Sequence, residues 1–192
     1  MQRRTLMIAA ATAAAASAMF LSACTTNTGA SLSTAERQAQ IDKGVNTTMT
    51  TLYSSVTGSK ELAANARGIL VFPSIVSAGF IIGGESGEGA LRVGGATTGY
   101  YRTTGVSFGL QAGAQSRSLV MMFMTQEALN SFKASSGWVA GTDATVAIAR
   151  VGANGVLDTA TASQSVIAFP LANAGLMAGV TINGSRITRL DN

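Results

Sequence analysis

One run near the middle of the chain narrows the possible folds more than any other. Val106, Phe108, Leu110, Ala112 and Ala114 alternate with Gly105, Ser107, Gly109, Gln111, Gly113 and Gln115. A period of two sends successive side chains to opposite faces of a β-strand. One face of this strand is apolar, and the other is made of Gly, Ser and Gln. Glycine repeated along a strand face implies close approach of another backbone or a ligand, or a sharp bend in a closing sheet. Composition agrees with a turn-rich apolar fold and not with a charged helical bundle: 11% of residues are charged and 22 of 192 are glycine.

The other elements can be placed around this strand. Ser33-Thr34-Ala35-Glu36 has the spacing of a capping box, which opens a helix. Ile41, Val45, Met49, Leu52 and Val56 then follow at spacings of four and three, one apolar helical face. Glu36, Arg37, Gln40, Lys43 and Thr47 occupy the other face, and Gly58 is a stop. This face packs on a core; its weak positive charge argues against a helix lying on a bilayer. Ser59-Lys60-Glu61 opens a second short helix, ended by Gly68. Ile69–Phe72 reads as a buried strand closed by Pro73, and Ile75–Ile82 as another, interrupted by Gly79. Gly83–Gly89 reads as a flexible hairpin turn in which Glu85 and Glu88 are solvated. Leu119–Met124 is apolar throughout, a fully buried strand, and Thr125 caps a short helix with Leu129 and Phe132 inward.

Two hairpins are expected in the last third. Thr145–Val151 and Val156–Thr159 flank Asn154-Gly155; Leu176–Ile182 and Arg186–Leu190 flank Asn183-Gly184. Asn-Gly between strands is a strong hairpin signal, because both turn residues need positive φ. About eight or nine strands and mostly short links predict an α+β fold. The expected form is a curled antiparallel sheet or barrel-like β domain with two N-terminal helices and one short mid-chain helix.

The N-terminus is built like an export signal. Arg3 and Arg4 precede an Ala-rich stretch from Leu6 to Leu21, and Cys24, the only cysteine, follows Leu21-Ser22-Ala23. The apolar stretch of roughly 16 residues is short for a membrane span, which needs about 20. The segment resembles the bacterial lipoprotein signal, in which cleavage precedes the cysteine and its sulfur receives lipid. That resemblance implies residues 1–23 as signal peptide, 24–32 as a polar tether and 33–192 as a single domain. It also implies acyl chains such as palmitate on Cys24 and a place in the bacterial cell envelope. Thr25 after the cysteine favours the outer membrane, facing the periplasm. Gln2 and Thr5-Leu6-Met7 around the paired arginines match twin-arginine export poorly, so ordinary secretion is favoured.

Several chemistries are excluded or disfavoured. The chain has no histidine. With Cys24 taken, Cys/His zinc sites and haem ligation by His or Cys are removed, as is His as a general base. Without Arg3 and Arg4, eleven cations face nine anions, a net of +2 with no dense basic block. A nucleic-acid partner is therefore not expected. Gly105-Val106-Ser107-Phe108-Gly109 fits the nucleophile-elbow pattern, but no histidine stands behind the serine and the run is an alternating strand. Gly83–Gly89 lacks both the dinucleotide and the phosphate-loop patterns. Glu85 and Glu88 lack the alternating ligand run of a calcium loop. No catalytic residue, metal or cofactor is expected. Lys43, Lys60, Arg67, Arg92, Arg102 and Arg117 are scattered cations that would pair with lipid phosphates if the fold gathered several on one face. Met121, Met122 and Met124 suit core packing better than the wall of a pliable lipid pocket.

A set of motifs runs in order through the mature chain. It begins with Ala66-Arg67-Gly68-Ile69-Leu70-Val71-Phe72-Pro73 and continues with Ala78-Gly79-Phe80-Ile81-Ile82-Gly83-Gly84, Gly87-Glu88-Gly89 and Tyr100-Tyr101. Ser107–Gln115, Phe132, Gly137-Trp138 and Gly175–Val180 follow. Together they resemble the SYLF lipid-binding domain family, which is related to the Las-binding domain of a yeast actin regulator. Eukaryotic members of that family bind phosphoinositides and in some cases actin; bacterial members look secreted or lipid-anchored. The resemblance implies the fold and an affinity for lipid. The expected function is a non-enzymatic, membrane-anchored envelope lipoprotein that binds phospholipid by its anionic head group or an acyl chain. The alternative is a structural or protein-interaction module of the envelope without a lipid ligand.

Overall fold

Helix α1 starts at Thr34, directly after Ser33 as the capping-box spacing predicts, and runs to Ser55. The computed structural model describes residues 32–150, 157–172, 175–177, 182 and 184–190. The signal segment, Cys24 and almost all of the tether lie outside these residues, as do Asn154-Gly155 and Asn183. After α1 come α2 (Ser59–Asn65), β1 (Gly68–Val93), β2 (Ala96–Phe123), α3 (Gln126–Ala134), β3 (Trp138–Val139) and β4 (Ala147–Ile148). A four-residue α4 (Thr159–Ala162), β5 (Val166–Ala172), β6 (Gly175–Leu176) and β7 (Arg186–Arg189) complete the order.

Among the described residues the strands form one seven-stranded sheet with the order β3-β7-β2-β5-β4; β1 pairs with β2, and β6 with β5. Every pairing is antiparallel except the short one between β4 and β5. The fold is α+β, with the two N-terminal helices and the mid-chain helix where they were expected. Thr125 caps α3 by accepting from the Ala128 N–H at 3.2 Å.

Three expectations need correction. Pro73 does not close a strand: β1 passes through it, and the register slips between Phe72 and Ile75. A proline has no N–H to give, and a bulge is where a ladder tolerates that. Gly83–Gly89 is not a turn, since each of its residues pairs with one of β2, from Gly83 opposite Ser107 to Gly89 opposite Tyr101. Thus β1 and β2, of 26 and 28 residues, absorb segments that read as separate strands. Finally, the described ends of the expected hairpin at Asn183-Gly184 pair elsewhere. Leu176 lies opposite Leu171 of β5, while β7 lies between β2 and β3.

The continuous apolar runs arise because the sheet is covered on both faces. Leu70, Phe72, Met121 and Phe123 point into one core with α3 and Trp138. Their neighbours Val71, Val120 and Met122 point into a second core, with Ile41, Val45, Met49 and Leu52 of α1 and with Phe169 of β5. Met121 and Met122 are both fully buried, one in each core. In the first, Phe132 lies 4.9 Å from Phe123, 5.0 Å from Tyr101 and 5.6 Å from Trp138, centroid to centroid. The tilted and edge-on ring arrangements are those aromatic quadrupoles favour.

The glycine-bearing ribbon also folds back on itself. Between Gly79 and Ile81 lies one residue, whereas their partners Gly113 and Gly109 are separated by three, so β2 carries extra length at the bend. Beyond it, residues 83–89 lie across residues 71–78 of the same strand. A Cβ on Gly83, Gly87 or Gly89 would meet the carbonyl oxygen of Ala78, Ser74 or Val71. Of the consequences expected of the glycines at 105–115, the bend lies opposite Gly109 and Gly113, whereas the close backbone approach falls on Gly83, Gly87 and Gly89 instead.

Candidate functional site

Where α1 crosses the sheet it leaves a cleft of about 520 Å³. Gln40, Lys43, Gly44, Thr47, Thr48 and Thr51 form the helical wall. Pro73, Ser116, Arg117 and Ser118, with Leu171 and Ala172 of β5, form the opposite one. Gly44 sets how near the walls come, since a Cβ there would lie 2.7 Å from Pro73 Cβ. The volume suits a small ligand; eight of the twelve lining residues carry hydroxyl, amide or charged groups, yet apolar atoms make up the larger part of the wall surface. Thr47 and Thr51 donate their hydroxyl protons back to the carbonyls of Lys43 and Thr47, at 3.2 and 3.1 Å.

Of the six candidate cations, the fold brings Lys43 and Arg117 to this one cleft. Lys43 is exposed and has no ion-pair partner among the described residues. Arg117 is nearly buried, with 10% of its side chain exposed, and its Nη2 lies 2.7 Å from Oε2 of Glu85, itself 8% exposed. The Ser185 hydroxyl donates to the other Glu85 oxygen at 3.1 Å. Arg102 lies elsewhere and pairs with Glu88 at 2.7 Å, in a far more exposed setting. Lys60 on α2 and Arg67 before β1 are exposed and separate from the cleft. Arg92 lies near Tyr53 and Tyr100, lowering the pKa of both against the larger effect of burial.

Sequence reading missed Glu85 as a buried group. The acid stands in a glycine-rich run that resembles a solvated turn, and only the fold-back of β1 carries it to Arg117. A separate polar link ties α1 to β2. Asp42 accepts from the Thr97 hydroxyl at 2.9 Å and from the Tyr100 hydroxyl at 2.8 Å. Burial first, then the Asp42 hydrogen bond and charge, push the Tyr100 pKa up to about 12.

Residues 104–192 match the family model described as Ysc84: Las17-binding protein actin regulator. Residues 104–192 are thus similar to the SYLF family. The SYLF match takes in Ser116, Arg117, Ser118, Leu171 and Ala172 of the cleft, while α1 and Glu85 stand before it. No curated protein matches the chain. Among the described residues no cluster of potential metal ligands forms, and no helix is long and apolar enough to cross a membrane.

Proposed function

We propose that this SYLF protein is a non-enzymatic lipoprotein of the bacterial cell envelope that binds the head group of an anionic phospholipid. Acyl chains on Cys24 hold it at the outer membrane, on the periplasmic side. Each buried methylene contributes about 0.8 kcal/mol, and stable anchoring takes more than one chain. The observation that carries the head-group reading is the meeting of Lys43 and Arg117 in one cleft, with five hydroxyl side chains along its walls. Two cations lining one cleft favour a phosphate-bearing group over a hydrocarbon tail.

A pull-down of residues 25–192 with phosphatidylglycerol vesicles, against phosphatidylcholine vesicles at physiological salt, tests this reading. Binding to the anionic vesicles alone is expected, weakened about fivefold by Lys43→Ala, since a basic residue at an anionic surface contributes about 1 kcal/mol. Failure to bind any anionic vesicle would remove the phospholipid reading. The alternative, a protein-docking module, draws support from Val76 and Val106, which are 46% and 63% exposed on the ribbon. The family description, which names a Las17-binding protein, supports it too.

A further inference from the structure

Arg117 serves two surroundings at once. One terminal nitrogen bonds Glu85 at 2.7 Å; the other, Nη1, is buried and has no hydrogen-bond partner among the described residues. The same side chain lines the cleft that also holds Lys43. Glu85, by contrast, is well provided for. One oxygen takes the Arg117 bond and the other the Ser185 hydroxyl. Gly105, directly opposite in the ladder, leaves room for the carboxylate, since a Cβ there would lie 3.0 Å from Oε1.

Arginine presents its five N–H donors as a planar fork that suits carboxylate and phosphate alike. Glu85 therefore fills the same role toward Arg117 that a phosphate in the cleft would fill, and it cancels the charge that would attract one. The segment that carries it is laddered to β2 throughout, but its crossing over residues 71–78 has few side-chain contacts. Gly83, Gly87 and Gly89 place no side chains into the crossing over residues 71–78, so the Glu85 contacts are its polar fastening there.

We propose that Glu85 is an autoinhibitory counter-ion, which occupies Arg117 in the ligand-free protein and yields it when a phosphate-bearing anion binds beside Lys43. This rests on the reading of the cleft as an anion site. The link makes ligand affinity and the looseness of residues 83–89 two readouts of one exchange of partners.

The test uses the full chain in an uncharged detergent, titrated in one arm with phosphatidylglycerol in mixed micelles and in the other with inorganic phosphate. Glu85→Gln keeps the hydrogen-bonding shape and removes the charge, so it should tighten phosphatidylglycerol binding by about tenfold, as removal of a like charge beside a bound anion does. Glu88→Gln makes the same change in net charge on the exposed pair and should leave affinity as it was. Tightening in both arms assigns recognition to the phosphate group itself; tightening in the lipid arm alone assigns it to the membrane-borne head group. Unchanged or weaker binding by Glu85→Gln would overturn the autoinhibitory role while leaving the cleft reading intact, provided Lys43→Ala still weakens binding. No binding by either the natural chain or Glu85→Gln would overturn both. Should Glu85→Gln fail to fold, amide hydrogen exchange on the natural chain decides: added phosphatidylglycerol should speed exchange across residues 83–89 relative to α3, and equal or slower exchange there would refute the proposal.

Discussion

Glu85 and Glu88 stand three residues apart on one strand, and each lies 2.7 Å from an arginine. Their surroundings make these pairs energetically different. The Arg102–Glu88 pair is exposed, and solvent and salt screen it, so Arg102→Ala should cost less than about 1 kcal/mol. Glu85→Ala leaves a buried guanidinium without its counter-charge and should cost about 3–5 kcal/mol in urea denaturation; equal losses for the two variants would contradict the burial described here. Tyr100 gives a pH dependence. Its hydroxyl pKa, ordinarily 10, is raised to about 12 in the folded protein, chiefly by burial and then by Asp42. The folded state therefore holds the proton longer than the unfolded chain. The stabilisation is fully present below pH 10 and is lost as pH rises from 10 through about 12. Thermal melts across that window should show falling stability, with a shallower fall in Tyr100→Phe. Tyr53 and Tyr101, also raised by burial, keep part of the slope in that variant.

Among elements, α1 was the most legible, because capping and a period of 3.6 act within a single segment. Its contact with the sheet was not legible, since that depends on Gly44 meeting Pro73. Gly44→Ala adds about 1 kcal/mol of helix propensity, yet its methyl would sit 2.7 Å from a proline ring carbon that has little freedom to move. Overpacking of this kind costs about 1–3 kcal/mol, so the variant should melt below the natural protein; a higher melting temperature would mean that α1 can shift away at little cost. The strands were legible in type and not in extent. Continuous apolar runs announced burial on both faces, and the alternation at 105–115 announced a strand. Pro73 read as an end and Gly79 as an interruption, whereas a paired neighbour carries the chain through both as register slips. The fold-back was foreshadowed at residues 105–115 and missed at 83–89, because period two assigns faces without saying what covers them.

For the molecule as a whole, the α+β class was readable from the mixture of periods, but the strand order was not. β2 pairs with β1 along its length, with β7 near its start and with β5 near its end. Nothing local in Tyr101–Thr104 announces that residues 186–189 will lie beside them. The cleft inherits the same difficulty, since Lys43 and Arg117 are brought together by helix packing over a sheet. The proposed anchor rests on a short N-terminal pattern and is tested in cells. Cys24→Ala should move the protein from the membrane to the soluble fraction and abolish incorporation of labelled palmitate; palmitate retained in that variant would refute the assignment.

The place of β7 has a kinetic consequence. The strand at Arg186–Arg189 closes on Tyr101–Thr104 and on Trp138-Val139, partners far upstream in the chain. Pairings of such separation form late and slow the search for the native state. During synthesis one flank of β2 therefore stays uncovered until residues 186–189 have emerged. On the proposed export route the nascent protein would meet a translocation pore with its sheet unfinished, in the condition threading requires.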